Sequence, residues 1–189
     1  EAERTLQVLD YAILVISGTD GVQAHTETLW RLLTRQGIPT FLFINKMDLA
    51  GADRTALLAH LKNKLSGGCV DFGDPDTLWE EAAVCDESVL EYFLETGELP
   101  DTAISRMIAE RKLFPCFFGS ALKQWGITEL LDGLNAYLPQ PEYPEEFGAR
   151  VYKIGRDNAG IRLSYLKVTG GSLRVKMPVG NSRSGAGEE

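Results

Sequence analysis

Phe41-Leu42-Phe43-Ile44 is an apolar run that stops abruptly at the polar tetrad Asn45-Lys46-Met47-Asp48, and no other stretch does more to limit what this chain folds into. A run that is apolar at every position, rather than at every second one, suits a short strand covered on both faces. Strands of that kind belong to parallel sheets flanked by helices, and such sheets bind ligands just beyond the carboxyl ends of their strands. Two further runs share the pattern. Tyr11-Ala12-Ile13-Leu14-Val15-Ile16-Ser17 ends in the turn residues Gly18-Thr19-Asp20-Gly21, and Leu113-Phe114-Pro115-Cys116-Phe117-Phe118 empties into Gly119-Ser120-Ala121-Leu122-Lys123. Between and after them the apolar spacing is helical: Leu29, Leu32 and Leu33 within 22–36, Leu57, Leu58, Leu61 and Leu65 within 55–65, and Leu130, Leu131, Leu134 and Leu138 within 127–138. Strand, helix and strand with short connections predict an α/β fold built on a parallel sheet.

An Asn and an Asp three residues apart on such a strand end have the chemistry to read a guanine. The carboxylate accepts from the ring N1–H and the exocyclic amino group, the Asn amide bonds the N7 side, and the alkyl stem of Lys46 lies on the ring. Adenine leaves that carboxylate without donors, and a site built on hydrogen bonds rejects such a mismatch by roughly 10⁴. The same residue types also cap helices and turns, so the tetrad by itself supports either role. At the other strand end, the small residues of Gly119-Ser120-Ala121 let backbone N–H groups approach a ligand closely. One such N–H would meet the O6 carbonyl of guanine, although Gly-Ser-Ala also reads as an ordinary strand-to-helix turn.

The formal charge of −8 over 189 residues is unevenly placed. Residues 71–101 hold 11 acidic side chains and no Lys or Arg. This segment reads as part of a solvated helical insert at about 69–112, with one helix at 88–95 turning Leu90, Phe93 and Leu94 inward and another at 102–112 turning Ile104, Met107 and Ile108 inward. Its charge argues against direct docking of the insert on nucleic acid. Cys69, Cys85 and Cys116 have no metal-ligand spacing and read as free thiols of a reducing compartment, so no metal site is expected. No stretch resembles a membrane span or a signal peptide, which predicts a cytoplasmic protein with no membrane partner. The chain opens without Met on what reads as a helix end, the expectation for a piece of something longer. Residues 141–147 read as a linker, and 148–180 as the beginning of an all-β barrel domain with strands at 148–154, 161–169 and 173–177. The composition of 181–189 predicts a flexible tail.

With both strand ends in view, the sequence resembles the translational GTPases, most closely the elongation factor G branch. The resemblance is carried by Asp20-Gly21-Val22-Gln23 after the first strand, by Asn45-Lys46-Met47-Asp48, by Gly119-Ser120-Ala121 with Lys123, and by Tyr137-Leu138-Pro139-Gln140-Pro141 leading into a β domain. Asp86-Glu87 followed by Tyr92-Phe93-Leu94 is similar to the insert that this branch carries. The strands at Val151-Tyr152-Lys153-Ile154 and Arg162-Leu163-Ser164-Tyr165 resemble elongation factor G and also the tetracycline-resistance ribosomal protection proteins; peptide chain release factor 3 is a weaker match. The resemblance implies the C-terminal part of a P-loop GTPase-type domain over 1–140, and GTP or GDP as ligand. It also implies an intact parent that uses Mg²⁺ and works on the ribosome, in elongation or in protection against tetracycline.

Carried over residue by residue, the resemblance makes Asn45 and Asp48 the base readers and Lys46, beside Met47, the residue packed on the base. Ser120 and Ala121 become the loop that presents a donor to O6, and Lys123 a cover. The chain contains no Gly-x-x-x-x-Gly-Lys-[Ser/Thr] phosphate loop, no switch threonine and no Asp-x-x-Gly-His segment. No catalytic residue is therefore expected in it. His25 and His60 fall on expected helices as surface or packing residues, and Ser17 lacks a base partner. A non-enzymatic module that binds the ribosome or a protein, with a vestigial guanine site, is the alternative reading.

Overall fold

A computed structural model of the chain describes residues 5, 6, 8–138 and 142–180, and the backbone of 187–188. Two units are distinct, Leu9–Pro139 and a second made of Glu1–Val8 with Gln140–Glu189. The first holds four strands, β1 (Ala12–Ser17), β2 (Thr40–Asn45), β3 (Cys69–Asp71) and β4 (Phe114–Phe118). Its six described helices are α1 (Ala24–Arg35), α2 (Arg54–Lys64), α3 (Leu78–Ala83), α4 (Glu87–Thr96), α5 (Asp101–Ala109) and α6 (Ile127–Tyr137). The strands form one parallel sheet in the order β1-β2-β4-β3, with Ser17 level with Asn45, and Ile44 level with Phe118. All the carboxyl ends therefore share one rim.

Alternation along β2 and β4 explains why every position there is apolar. Phe41, Phe43 and Phe117 point into a core with Leu78, Ala82, Val89, Ile104, Met107 and Leu130, contributed by α3 to α6. Leu42, Ile44, Phe114, Cys116 and Phe118 point the other way, against Trp30 of α1 and Leu57 and Leu61 of α2. Both strands are thus desolvated on both faces, as a central parallel strand requires. Arg111 closes the lower seam: its guanidinium donates to Ile38 O, to Thr40 Oγ1 at 3.0 Å and to Thr34 Oγ1 at 2.9 Å, and lies 5.0 Å from the ring centroids of Trp30 and Phe114. Asp86 ties the insert down in a similar way. It caps α4 through Ser88 and Val89 N–H and pairs with Lys112 Nζ at 2.6 Å, and these bonds, that to Lys112 first, hold its carboxyl well below the usual carboxylate range. Burial pushes the Cys85 thiol up to about 11.

Four expectations from the sequence need correction. The run at Tyr11–Ser17, expected to be a strand covered on both faces, forms β1 at the edge of the sheet with Ile13 and Val15 exposed and Leu14 and Ile16 buried. Cys69–Asp71, assigned to the helical insert, is a strand: three residues give too short a period to register, yet all are buried and pair with β4. Leu94, expected to face inward on α4, is 75% exposed, because the core takes Val89, Leu90 and Phe93, on a face about a quarter turn away. The strand expected at 173–177 is a turn, in which Met177 N–H bonds Arg174 O at 3.1 Å and Lys176 takes the left-handed conformation that ends extended backbone.

The second unit is dominated by the antiparallel pair β5 (Gly148–Arg156) and β6 (Arg162–Gly170), joined by a turn in which Asp157 accepts from Ala159 and Ile161 N–H. A two-residue strand β7 (Val179–Gly180) pairs with β8 (Gly187–Glu188). The tail expected at 181–189 otherwise lies outside the described residues. Among the described residues no helix is long and apolar enough to cross a membrane.

Candidate functional site: the rim of the parallel sheet

β2 ends at Asn45, and the chain then turns sharply. Lys46 adopts φ +66, an uncommon conformation for a residue with a Cβ. It is held there because Asn45 Oδ1 accepts the Lys46 N–H at 2.8 Å. Leu49 N–H closes a turn on Lys46 O at 3.2 Å, and Asp53 caps α2 by accepting from Ala56 N–H at 3.1 Å. Helix capping, one of the two roles open to this tetrad, therefore falls to Asp53 and not to Asp48. Asp48 is exposed, and among the described residues its carboxylate has no protein partner.

β4 leads into the second loop. Gly119 N–H continues the ladder to Ile44 O at 2.9 Å, and Gly119 O accepts from Met47 N–H at 3.0 Å. The half-buried Met47 thus contributes a backbone tie between the two loops. Ser120 is 1% exposed. It exchanges backbone hydrogen bonds with Trp125, at 2.9 and 3.1 Å, and its Oγ accepts from Lys123 N–H at 3.4 Å. This small closed loop depends on two glycines: a Cβ on Gly119 would overlap Trp125 O, and one on Gly126, at φ +76, would overlap Phe118 O. Gln124, at φ +55, completes the turn by donating to Ala121 O.

The two loops are joined by a side chain. Ala121 N–H donates to Asn45 Oδ1 at 2.9 Å. Both protein groups on Asn45 Oδ1 are donors, so the orientation of the amide is determined, and its NH₂ faces away from them, available to an acceptor. Ala121 and Ser120, expected to present the donor to O6, have their N–H groups engaged within the protein. Across 119–125, the backbone N–H with no hydrogen-bond partner among the described residues is that of Leu122, a residue 87% exposed. The Leu122 side chain carries no signal of this; the open N–H follows from the closed backbone of the loop. Lys46 and Lys123 are both exposed.

β1 joins the same rim, with Gly18 N–H donating to Asn45 O at 2.6 Å. Gln23 Nε2 folds back to Asp20 O at 2.7 Å, His60 packs its ring against Gly21, and His25 is exposed on α1. Two clefts lie elsewhere, one of about 400 Å³ bounded by Trp79 and the 97–100 turn, the other of about 420 Å³ between Lys62, Gly67, Gly68 and Cys85. Neither includes a rim residue.

The fold and the rim define a doubly covered parallel α/β domain whose two adjacent strand ends are hydrogen-bonded into one surface. Residues 1–140 match the Elongation factor Tu GTP binding domain, and the chain belongs to that family. Among its relatives, Elongation factor G of Dehalococcoides mccartyi is 29% identical over an alignment covering 100% of this chain and 37% of that protein. Tetracycline resistance protein TetW of Butyrivibrio fibrisolvens is 32% identical, covering 93% of this chain and 30% of that one. The Oxytetracycline resistance protein of Streptomyces rimosus is also 32% identical, with 93% and 31% covered. A crystal structure of a Thermus thermophilus protein shares the fold, with a TM-score of 0.73 at 23% identity, covering 94% of this chain and 34% of that one. The chain thus spans about a third of the length of the relatives it matches.

Proposed function

We propose that this chain is the guanine-reading part of a translational GTPase, one that acts on the ribosome in elongation or in protection against tetracycline. The observation that carries the reading is the exposed carboxylate of Asp48, without a partner among the described residues, on a rim where Asn45 Oδ1 and the Ser120 and Ala121 N–H groups are engaged within the protein. Guanine supplies what it lacks, two adjacent donors at N1 and N2. The Asn45 NH₂, turned away from the two N–H groups on Oδ1, donates to N7, and Leu122 N–H donates to O6. The N7 contact accepts any purine. Discrimination rests on Asp48 and Leu122, both of which adenine leaves unsatisfied. The exposed stems of Lys46 and Lys123 are placed to cover the ring, while Ser120 and Met47 shape the loops.

GTP or GDP fits these donors and acceptors through its base. The phosphates, which supply the reactive bond when the nucleotide is bound, have no counterpart here: the 189 residues include neither a phosphate loop nor the residues that hold Mg²⁺ in this family. No hydrolytic step is therefore assigned to these residues, and the chain on its own is expected to be inactive and to bind guanine weakly. In the longer protein, Asp48→Asn is expected to move hydrolysis from GTP toward xanthosine triphosphate, whose C2 carbonyl matches an amide donor. Ribosome-stimulated hydrolysis measured with both nucleotides tests this, and an unchanged preference for GTP removes the assignment.

A further inference from the structure

The loop that carries Asp48 is anchored at its far end by a residue the family resemblance does not point to. Arg54 is the first residue of α2, directly after the cap Asp53. Its Nε and Nη2 grip both oxygens of Asp71, at 2.5 and 2.6 Å, and its guanidinium carbon lies 5.0 Å from the ring centroid of Phe118. Gly73 leaves room for it, since a Cβ there would come within 2.7 Å of Nη2. Asp71 is the last residue of β3, its side chain 7% exposed and also accepting from Gly73 N–H at 2.9 Å. Phe118 is the last residue of β4, immediately before Gly119. One planar side chain therefore joins the end of the first rim loop to the ends of the two strands beside it. A bidentate guanidinium beside an aromatic ring holds such a junction in one geometry as a lysine ammonium does not.

We propose that Arg54 is a positioning residue of the rim, fixing the 46–53 loop against β4 so that Asp48 and Leu122 face the same base; this rests on the guanine reading. Among the described residues, the hydrogen bonds that tie the first rim loop and the end of β2 to the second loop are Met47 N–H to Gly119 O and Ala121 N–H to Asn45 Oδ1. A residue that merely stabilises the fold would, when replaced, loosen the whole sheet together. A positioning residue loosens these two bonds first.

The test uses the full 189-residue chain, with Arg54→Met and the milder Arg54→Lys, which keeps the charge and remains informative should the first variant fold poorly. Native-state amide hydrogen exchange followed by NMR is expected to show the Met47 and Ala121 amides exchanging about tenfold faster in Arg54→Lys, while amides of the β2–β4 ladder stay within about twofold. Guanosine titration of the same samples is expected to show several-fold weaker binding. Exchange of Met47 and Ala121 that rises only in step with the ladder overturns the positioning role, as does unchanged guanosine affinity. A wild-type chain that does not prefer guanosine to adenosine overturns the proposal by a separate route, through the base reading, whatever the exchange rates show.

Discussion

At the end of β2 the polar groups left open are side chains, whereas at the end of β4 the one assigned to the base in the proposed function is a backbone N–H. Asp48 is exposed and, among the described residues, its side chain has no partner. Ser120 is buried, Ala121 N–H is taken by Asn45, and the second loop exists only because Gly119 and Gly126 cross without side chains. On the guanine reading proposed above, Asp48 therefore separates recognition from stability, and the second loop cannot. A change of side chain alters what the first reads, while the second is altered only by changing the shape of its loop.

That contrast is broken most directly by Asp48→Asn. Guanosine binding to the chain should fall and xanthosine binding should rise, reversing the preference by a factor on the order of 10² or more. The unfolding free energy from urea titration should barely move, within about 0.5 kcal/mol, as for an exposed surface residue. Large destabilisation would mean that the first loop carries the fold after all. Gly126→Ala makes the converse test: with φ at +76 and Phe118 O in the way, stability should drop by about 1–3 kcal/mol in urea unfolding, and base binding should decline with it. Intact stability with lost binding would show that the second loop also separates the two.

Asn45→Ala acts on the tie between the loops. It removes the acceptor of Ala121 and Lys46 N–H, so a loss of about 1 kcal/mol is expected together with weaker guanosine binding. Double-mutant analysis with Gly126→Ala should then reveal coupling between the loops. Asp86 lies in the insert, away from the rim, and provides the smallest effect. Its carboxyl titrates lower in the folded chain than in the unfolded one, so between those values the unfolded chain binds more protons. Its contribution is present above about pH 4 and is lost as pH falls further. Asp86→Asn should lower the urea midpoint at pH 7, flatten its decline toward pH 3 and leave guanosine binding unchanged; a change in base binding would couple the insert to the rim.

Legibility from sequence followed the same contrast. The two continuous apolar runs at Phe41 and Phe114 announced buried parallel strands, and the helical spacing around Leu61 and Leu130 announced the layers, because hydrophobic burial leaves a periodic trace in residue type. Asp48 was legible as a candidate for the same reason, since its chemistry sits in its side chain. β3 left no trace, being three residues long, and neither did the left-handed turn at Lys176. Leu122 and Arg54 were invisible for different reasons. The role proposed for Leu122 depends on which neighbouring N–H groups are already bonded, and that proposed for Arg54 depends on a partner, Asp71, that folding brings across from another strand.

The most direct test of the rim as a base reader is an NMR titration of the wild-type chain with guanosine and with adenosine, following the backbone amides of Lys46, Asp48 and Leu122. The nucleoside is chosen because it carries the base without the phosphates. Guanosine should shift these amides with a Kd in about the millimolar range, as expected for a few hydrogen bonds and one stacked face. Adenosine at the same concentrations should leave Asp48 and Leu122 unmoved. Equal shifts from both nucleosides, or none from either, would contradict the account.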